Sequence, residues 1–87
     1  MILNKNIQII EIAGEYMAVP VGEMANNMGG VIALSDSTAF LLKHLTKNMT
    51  KAELLDLLLD EYEVDADMAI KDLDEIIKIL SDLKVII

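Results

Sequence analysis

An aspartate and a serine, Asp36 and Ser37, stand together at the start of an apparent helix in the stretch GGVIALSDSTAFLLKHL. Three kinds of chemistry fit such a pair. The serine hydroxyl could carry a covalently attached group, or the two side chains could cap the helix by accepting hydrogen bonds from its free N–H groups. The pair could also mark a junction between a strand and a helix. Each interpretation predicts a different function.

Few other side chains could do chemistry. His44 is the only histidine and there is no cysteine, so a metal site would need carboxylates with a recognisable ligand spacing. Six carboxylates lie close together, but without the glycine turn and alternating ligands of a calcium loop: Asp56, Asp60, Glu61, Glu63, Asp65 and Asp67. We therefore predict no catalytic residue, no metal site and no cofactor. His44 is expected on a helix, partly exposed, and the carboxylates on a solvated face.

Composition and charge narrow the class of protein. A chain of 87 residues that is 54% hydrophobic and 25% charged predicts one packed domain over residues 1–87. The formal net charge is −8 and all seven basic residues are lysines, so bidentate arginine contacts to phosphate or guanine are excluded and no nucleic-acid partner is expected. No apolar run is long enough to span a membrane. The start of the chain lacks signal-peptide features, which makes the cytoplasm the expected compartment.

The first third of the chain predicts three short strands. IQIIEIAGEYMAVPVG has two β-branched runs on either side of Gly14, which is typical of two strands around a turn. In the first run, Ile7 and Ile9 share the face opposite Ile10 and Ile12; the second run places Met17, Val19 and Val21 on one face. A looser connection, EMANNMGG, leads to a third strand in GVIAL.

The rest of the chain predicts three helices. Ser35 or Asp36 can cap the first, over TAFLLKHL, which is expected to end at Lys47 and Asn48. TKAE forms a capping box that begins the second helix, because the Thr50 and Glu53 side chains can bond reciprocally. The third helix begins at Asp65 and carries apolar residues at positions 66, 69, 70, 73, 76, 77, 80 and 83, which is helical spacing.

The element order indicates an α+β fold. A three-stranded antiparallel sheet followed by three helices is a winged helix-turn-helix-like architecture. An acidic winged-helix regulator is one function that this order leaves open. The aspartate–serine pair also resembles the site at which carrier proteins bear phosphopantetheine, which would place that group on Ser37. Carrier domains are all helical, however, and Thr38 stands where they have leucine. Helix capping explains Asp36 and Ser37 without an attached group.

Over about residues 7 to 87 the sequence resembles the PqqD family, which includes the recognition elements of ribosomal peptide modification systems. The resemblance lies in EYMAVPVG, GGVIALSDSTAFLLKHL, TKAELLDLLLDEYEVD and the spacing of Asp72, Ile76 and Leu80. It departs from the family at Asn48 and Lys84, where glycines are usual.

The resemblance implies a non-catalytic protein that binds the leader segment of a precursor peptide and presents it to a modifying enzyme, such as a radical S-adenosylmethionine enzyme. The leader would pair with the edge of the third strand and lie against the third helix. GVIAL, which carries no charge, suits strand addition. The expected contact residues are Val31, Ile32, Ala33, Leu34, Met68, Asp72, Glu75, Ile76 and Ile79.

A spacing of about one turn, beside the main apolar stripe that includes Ile76, relates the other helical members of this set: Met68, Asp72, Glu75 and Ile79. We assign Met68 and Ile79 to the groove between the third strand and the third helix, because they fit poorly in the core. A place in the core or at its rim stays open for each of them. Asp72 and Glu75 either select a leader with basic side chains or face solvent.

Overall fold

The computed structural model describes residues 1–26 and 30–87. Its elements are β1 (Ile7–Ile12), β2 (Glu15–Pro20), a 3-10 helix (Gly22–Asn26), β3 (Ile32–Leu34), α1 (Asp36–His44), α2 (Lys51–Glu61) and α3 (Ala66–Asp82). The α+β order predicted from the sequence is confirmed. The connection EMANNMGG, expected to be loose, begins within the 3-10 helix; its residues 27–29 lie outside the described part. No helix of the described residues is both long and apolar enough to cross a membrane.

The sheet has the strand order β1-β2-β3, with both neighbouring pairs antiparallel. Ala13 and Gly14 join the first two strands, and both have positive φ, 52° and 81°. Two consecutive residues of this kind make a type I′ turn, whose twist suits a two-residue hairpin. Ile12 lies opposite Glu15 across the turn, so the turn fixes the register of β1 against β2.

One face of the sheet packs on the helices. Ile7 and Ala18 are buried there and Ile9 packs beside them, whereas Ile12 on the opposite face is 56% exposed. The predicted separation of Ile7 and Ile9 from Ile12 is thus confirmed. Met17 lies on the outer face, because Ala18 beside it points into the core.

Leucines from all three helices form most of the core. The largest fully buried side chains are Leu41, Leu42, Leu45, Leu54, Leu73 and Val85. Burying a side chain of this size stabilises the fold by about 1.5–3 kcal/mol. The apolar stripe predicted for α3 is only partly buried: Ile70 is 37% exposed and Leu83 is 40% exposed. Helical spacing places these residues near the stripe, but neighbouring elements cover only its centre.

The predicted helix starts are correct. The Ser35 side chain accepts a hydrogen bond from the Thr38 N–H, so Ser35 rather than Asp36 is the cap of α1. Thr50 and Glu53 form the capping box of α2, and hydrogen bonds from Thr50 hold the pKa of Glu53 below its ordinary value. Asp65 caps α3.

The predicted end of α1 is wrong. The helix stops at His44, and the N–H of Leu45 donates to the carbonyl of Leu42. Asn48 is not among the described residues with positive φ, so its position has no need of the glycine that the family usually has there. The buried Leu45 ends the helix early because the chain turns at this residue, whose carbonyl accepts a bond of 3.0 Å from the N–H of Leu3.

Residues before β1 also join the fold. Leu3 forms an antiparallel bridge with Ile86, and Ile2 and Ile87 exchange two backbone hydrogen bonds of 2.9 Å. The sequence resemblance, which begins near residue 7, did not predict this pairing of the two ends of the described chain.

Replacing Lys84 with glycine is expected to stabilise the protein. Lys84 has φ 61° and ends α3 in a Schellman motif: its N–H donates to the Ser81 carbonyl, and the Val85 N–H donates to the Leu80 carbonyl. A left-handed residue other than glycine costs about 1–2 kcal/mol, which the greater freedom of glycine in the unfolded chain offsets by about 0.4–1 kcal/mol. Urea unfolding should therefore show Lys84→Gly more stable by up to about 1 kcal/mol.

The charge change needs its own control. Lys84→Asn also removes the lysine but keeps a residue that tolerates the left-handed region better than most. Its stability should fall between those of the original protein and the glycine variant. A glycine variant no more stable than the original would contradict the assignment of strain to Lys84.

Candidate functional site

The sheet has an open edge at β3. Its strand order gives β3 only β2 as a neighbour, and no described residue pairs with the other side of β3. A strand edge offers backbone N–H and C=O groups to any extended chain that approaches it.

The hairpin register shows which residue of β3 points to that edge. Ile12 and Glu15 flank the two-residue turn and form a hydrogen-bonded pair, after which bonded and non-bonded pairs alternate along an antiparallel ladder. By this alternation Ile32 and Leu34 bond to β2. Ala33, opposite Met17, therefore directs its N–H and C=O to the open edge.

A groove runs between this edge and α3. We name it the strand groove; its volume is about 140 Å³. Ile79, which is 57% exposed, lies on its α3 wall. The lining residues are mainly apolar: Ile32, Ala33, Leu34, Ser35, Thr38, Ile76, Ile79, Leu80 and Leu83. The groove therefore places an apolar surface beside the free backbone groups of Ala33.

A larger cavity lies beside the strand groove, towards the start of α3. We name it the helix pocket; its volume is about 600 Å³. Ile76 lines both cavities, so they lie next to each other along α3. The other walls come from the start of α1, the end of α2 and the start of α3: Asp36, Ser37, Leu58, Tyr62, Glu63, Val64, Asp65, Met68, Ala69 and Asp72.

The helix pocket combines an apolar floor with an acidic rim. Leu58 and Ala69 are buried at its base, and four carboxylates belong to its wall, from Asp36, Glu63, Asp65 and Asp72. No lysine is among the described residues that line it. The ion pairs of α3, Lys51–Asp74 and Lys78–Asp82, involve residues outside this wall.

The structure brings together most of the residues predicted as a site. Ile32, Ala33, Leu34 and Ile79 line the strand groove, Met68 and Asp72 line the helix pocket, and Ile76 lines both. Two predicted residues lie outside both walls: Val31, which is 58% exposed just before β3, and Glu75, which is exposed on α3.

Sequence reasoning missed several lining residues. Leu83 has the spacing of the α3 core stripe and Tyr62 that of the apolar stripe of α2, so both are expected in the core, and no sequence pattern assigns Val64 to a site. Val64 is 49% exposed. An apolar residue between charged neighbours in a connection was the one signal that could have pointed to a pocket wall.

Asp36 and Ser37 lie at the junction between β3 and α1. Ser35 provides the cap, and the Ser37 hydroxyl lies 3.3 Å from the Ser35 hydroxyl. The three-stranded sheet differs from the all-helical fold of a phosphopantetheine carrier. His44 is exposed, with Nδ1 2.8 Å from the Phe40 carbonyl. Within the part of the chain that the structure describes, no group of carboxylates and histidine could hold a metal ion.

Comparison with known proteins gives a family and a shared fold. The family model described as Coenzyme PQQ synthesis protein D (PqqD) matches residues 11–86. No curated protein matches the chain. Among solved structures, TbiB1 in complex with the TbiA(beta) leader peptide has a TM-score of 0.77 and 18% identity, with 98% of this chain and 93% of that chain covered. Lasso peptide synthetase B1 complexed with the leader peptide has a TM-score of 0.70 and 20% identity, with 92% of this chain and 88% of that chain covered.

Proposed function

Because this chain belongs to the PqqD family, as the match over residues 11–86 shows, we propose that it binds the leader segment of a ribosomally synthesised precursor peptide. In this role it is a non-catalytic scaffold that presents the peptide to a modifying enzyme. One observation carries the proposal: the open backbone groups of Ala33 lie beside the apolar strand groove.

The leader adds a fourth strand to the sheet. Its backbone bonds to the N–H and C=O of Ala33, and alternate side chains fall on the two faces of the extended sheet. Those on the helix side enter the strand groove against Ile76 and Ile79. Affinity for a ligand of this kind is expected to be about micromolar, roughly −8 kcal/mol.

The two similar structures support the class of ligand. TbiB1 and lasso peptide synthetase B1 are both complexes with leader peptides, and their fold covers nearly all of this chain. The formal net charge of −8 without arginine argues against a nucleic-acid ligand, because phosphate binding depends on basic residues.

The modifying enzyme is the second partner in this proposal. By resemblance to the family, a radical S-adenosylmethionine enzyme is a suitable candidate. A leader held along β3 leaves the rest of the precursor peptide free, so a separate enzyme could act on it while this chain performs no chemistry.

An NMR titration tests the proposal directly. The isotope-labelled protein is titrated with the leader of its precursor peptide. Amide shifts should concentrate at residues 31–34 and along α3 from Met68 to Ile79, and hydrogen exchange at the Ala33 amide should slow because a new bond protects it. Shifts confined to other surfaces, or a spectrum that does not change, would contradict leader binding at this edge.

A further inference from the structure

We propose that the helix pocket takes a large apolar side chain and a neighbouring lysine or arginine from the leader. Both belong to the part of the leader that precedes the residues paired with β3. This inference rests on the proposed function, and it adds to that function a rule for which leaders are accepted.

The position of the helix pocket determines which part of the leader reaches it. β3 ends at Leu34, and Asp36 and Ser37 just beyond it are part of the pocket wall. Both existing strand pairs are antiparallel, and antiparallel pairing is slightly more stable than parallel pairing. A leader added antiparallel to β3 passes Leu34 with its N-terminal residues. The pocket therefore receives residues that precede the paired segment.

The size and floor of the pocket suit a large apolar side chain. Its volume of about 600 Å³ lies within the range of about 300–1,000 Å³ typical of ligand sites. Leu58 and Ala69 form an apolar base, and Met68, which is 64% exposed, stands at the rim. A methionine can adapt its flexible side chain to an aromatic or aliphatic guest.

The charge of the pocket rim determines which leader residue is expected next to the apolar one. The starts of α1 and α3 both meet at the pocket, and together they contribute about one positive charge. The four carboxylates of the wall contribute four negative charges, so the rim is strongly acidic. The described lining residues include no lysine. A cation from the leader supplies the missing charge, and an acidic leader residue would be repelled.

Selection from a displayed library of short random peptides tests this inference without knowledge of the natural leader. The original protein is the bait, and peptides that bind Ala33→Pro equally well are discarded, because they do not use the β3 edge. The retained peptides should carry a large apolar residue with an adjacent lysine or arginine before the strand-forming segment. One of them, fluorescently labelled, serves as the probe for affinity measurements.

Charge variants of the protein locate the contact. Asp72→Asn should weaken binding of the probe about two- to fivefold, the range of a solvent-accessible ion pair, and the loss should shrink at high salt. The matched control is Asp74→Asn, which removes the same charge from α3 but at a residue paired with Lys51 outside the pocket. Replacing the basic residue of the probe with methionine should remove the difference between Asp72→Asn and the original protein.

The outcomes separate this inference from the proposed function. If β3-dependent peptides lack the apolar–basic pair, or if Asp72→Asn and Asp74→Asn bind the probe equally, the pocket assignment is wrong while leader binding stands. If the selection yields no peptide that depends on β3, the proposed function fails and this inference fails with it.

Discussion

Replacing Ala33 with proline is expected to weaken leader binding at least about thirtyfold while the protein stays folded. The substitution removes the N–H that faces the open edge of β3 and puts the proline ring in the path of the added strand. Leaving a buried partner carbonyl without its donor costs roughly 2 kcal/mol, which corresponds to about thirtyfold in affinity. Fluorescence anisotropy with a labelled leader measures the change.

The fold should tolerate this proline for reasons specific to its position. Ala33 does not donate to β2, since it lies in a non-bonded pair with Met17, and its side chain is exposed. Proline at an edge position whose N–H faces outwards is compatible with a strand. Ile32 would be a poorer choice for a test, because its side chain packs against the core.

The other edge of the sheet provides a matched control. By the same alternation, Glu11 directs its N–H to the open side of β1, and its side chain is exposed. Glu11→Pro should leave leader affinity within about twofold of the original, because β1 takes no part in binding. Equal losses from Ala33→Pro and Glu11→Pro, with both proteins folded, would show that the leader does not add to β3.

Replacing Ile79 with glutamate is expected to weaken leader binding about tenfold or more. Ile79 lies on the wall of the strand groove and is 57% exposed, so a bound leader is what buries it. Full burial of an isoleucine side chain is worth about 1.5–3 kcal/mol, and a carboxylate in its place must also lose water. Isothermal titration calorimetry with the leader peptide measures the loss.

The stability of this variant should change little, since the side chain is largely in solvent without the ligand. Ser81→Glu is the control: it adds the same charge near the same end of α3, at an exposed residue outside the groove wall. Unfolding midpoints of the two variants should agree, while only Ile79→Glu loses affinity. If Ile79→Glu binds the leader as tightly as Ser81→Glu does, the leader does not lie against Ile79.

Local patterns in the sequence were enough to predict the elements of the fold. Gly14 marked the hairpin turn, Thr50 and Glu53 marked the start of α2, and Asp65 marked the start of α3; the structure has all three. These signals are local because turns and caps depend on a few consecutive residues. The resemblance to the PqqD family added the expected edge and helix, and the family is confirmed.

Helix ends and exposure were harder to predict, because they depend on distant partners. α1 stops at His44 and not near Asn48, because the next residue, Leu45, bonds to the distant segment around Leu3. Leu83 has the spacing of a core residue but lies 40% exposed in the strand groove. Periodicity shows which residues share a side of a helix; it does not show where the neighbouring elements stop covering that side.

The sequence by itself therefore determined the strands, the helices, most of their caps and the family. Only the tertiary structure decided that the backbone groups of Ala33, and not those of its neighbours in β3, face the open edge, that Ile76 lines two cavities, and that Tyr62 and Val64 help to enclose one of them. The physical reason is the range of the forces involved. Backbone preferences act between residues close in the chain, whereas a cavity is the space left when elements distant in sequence pack against one another.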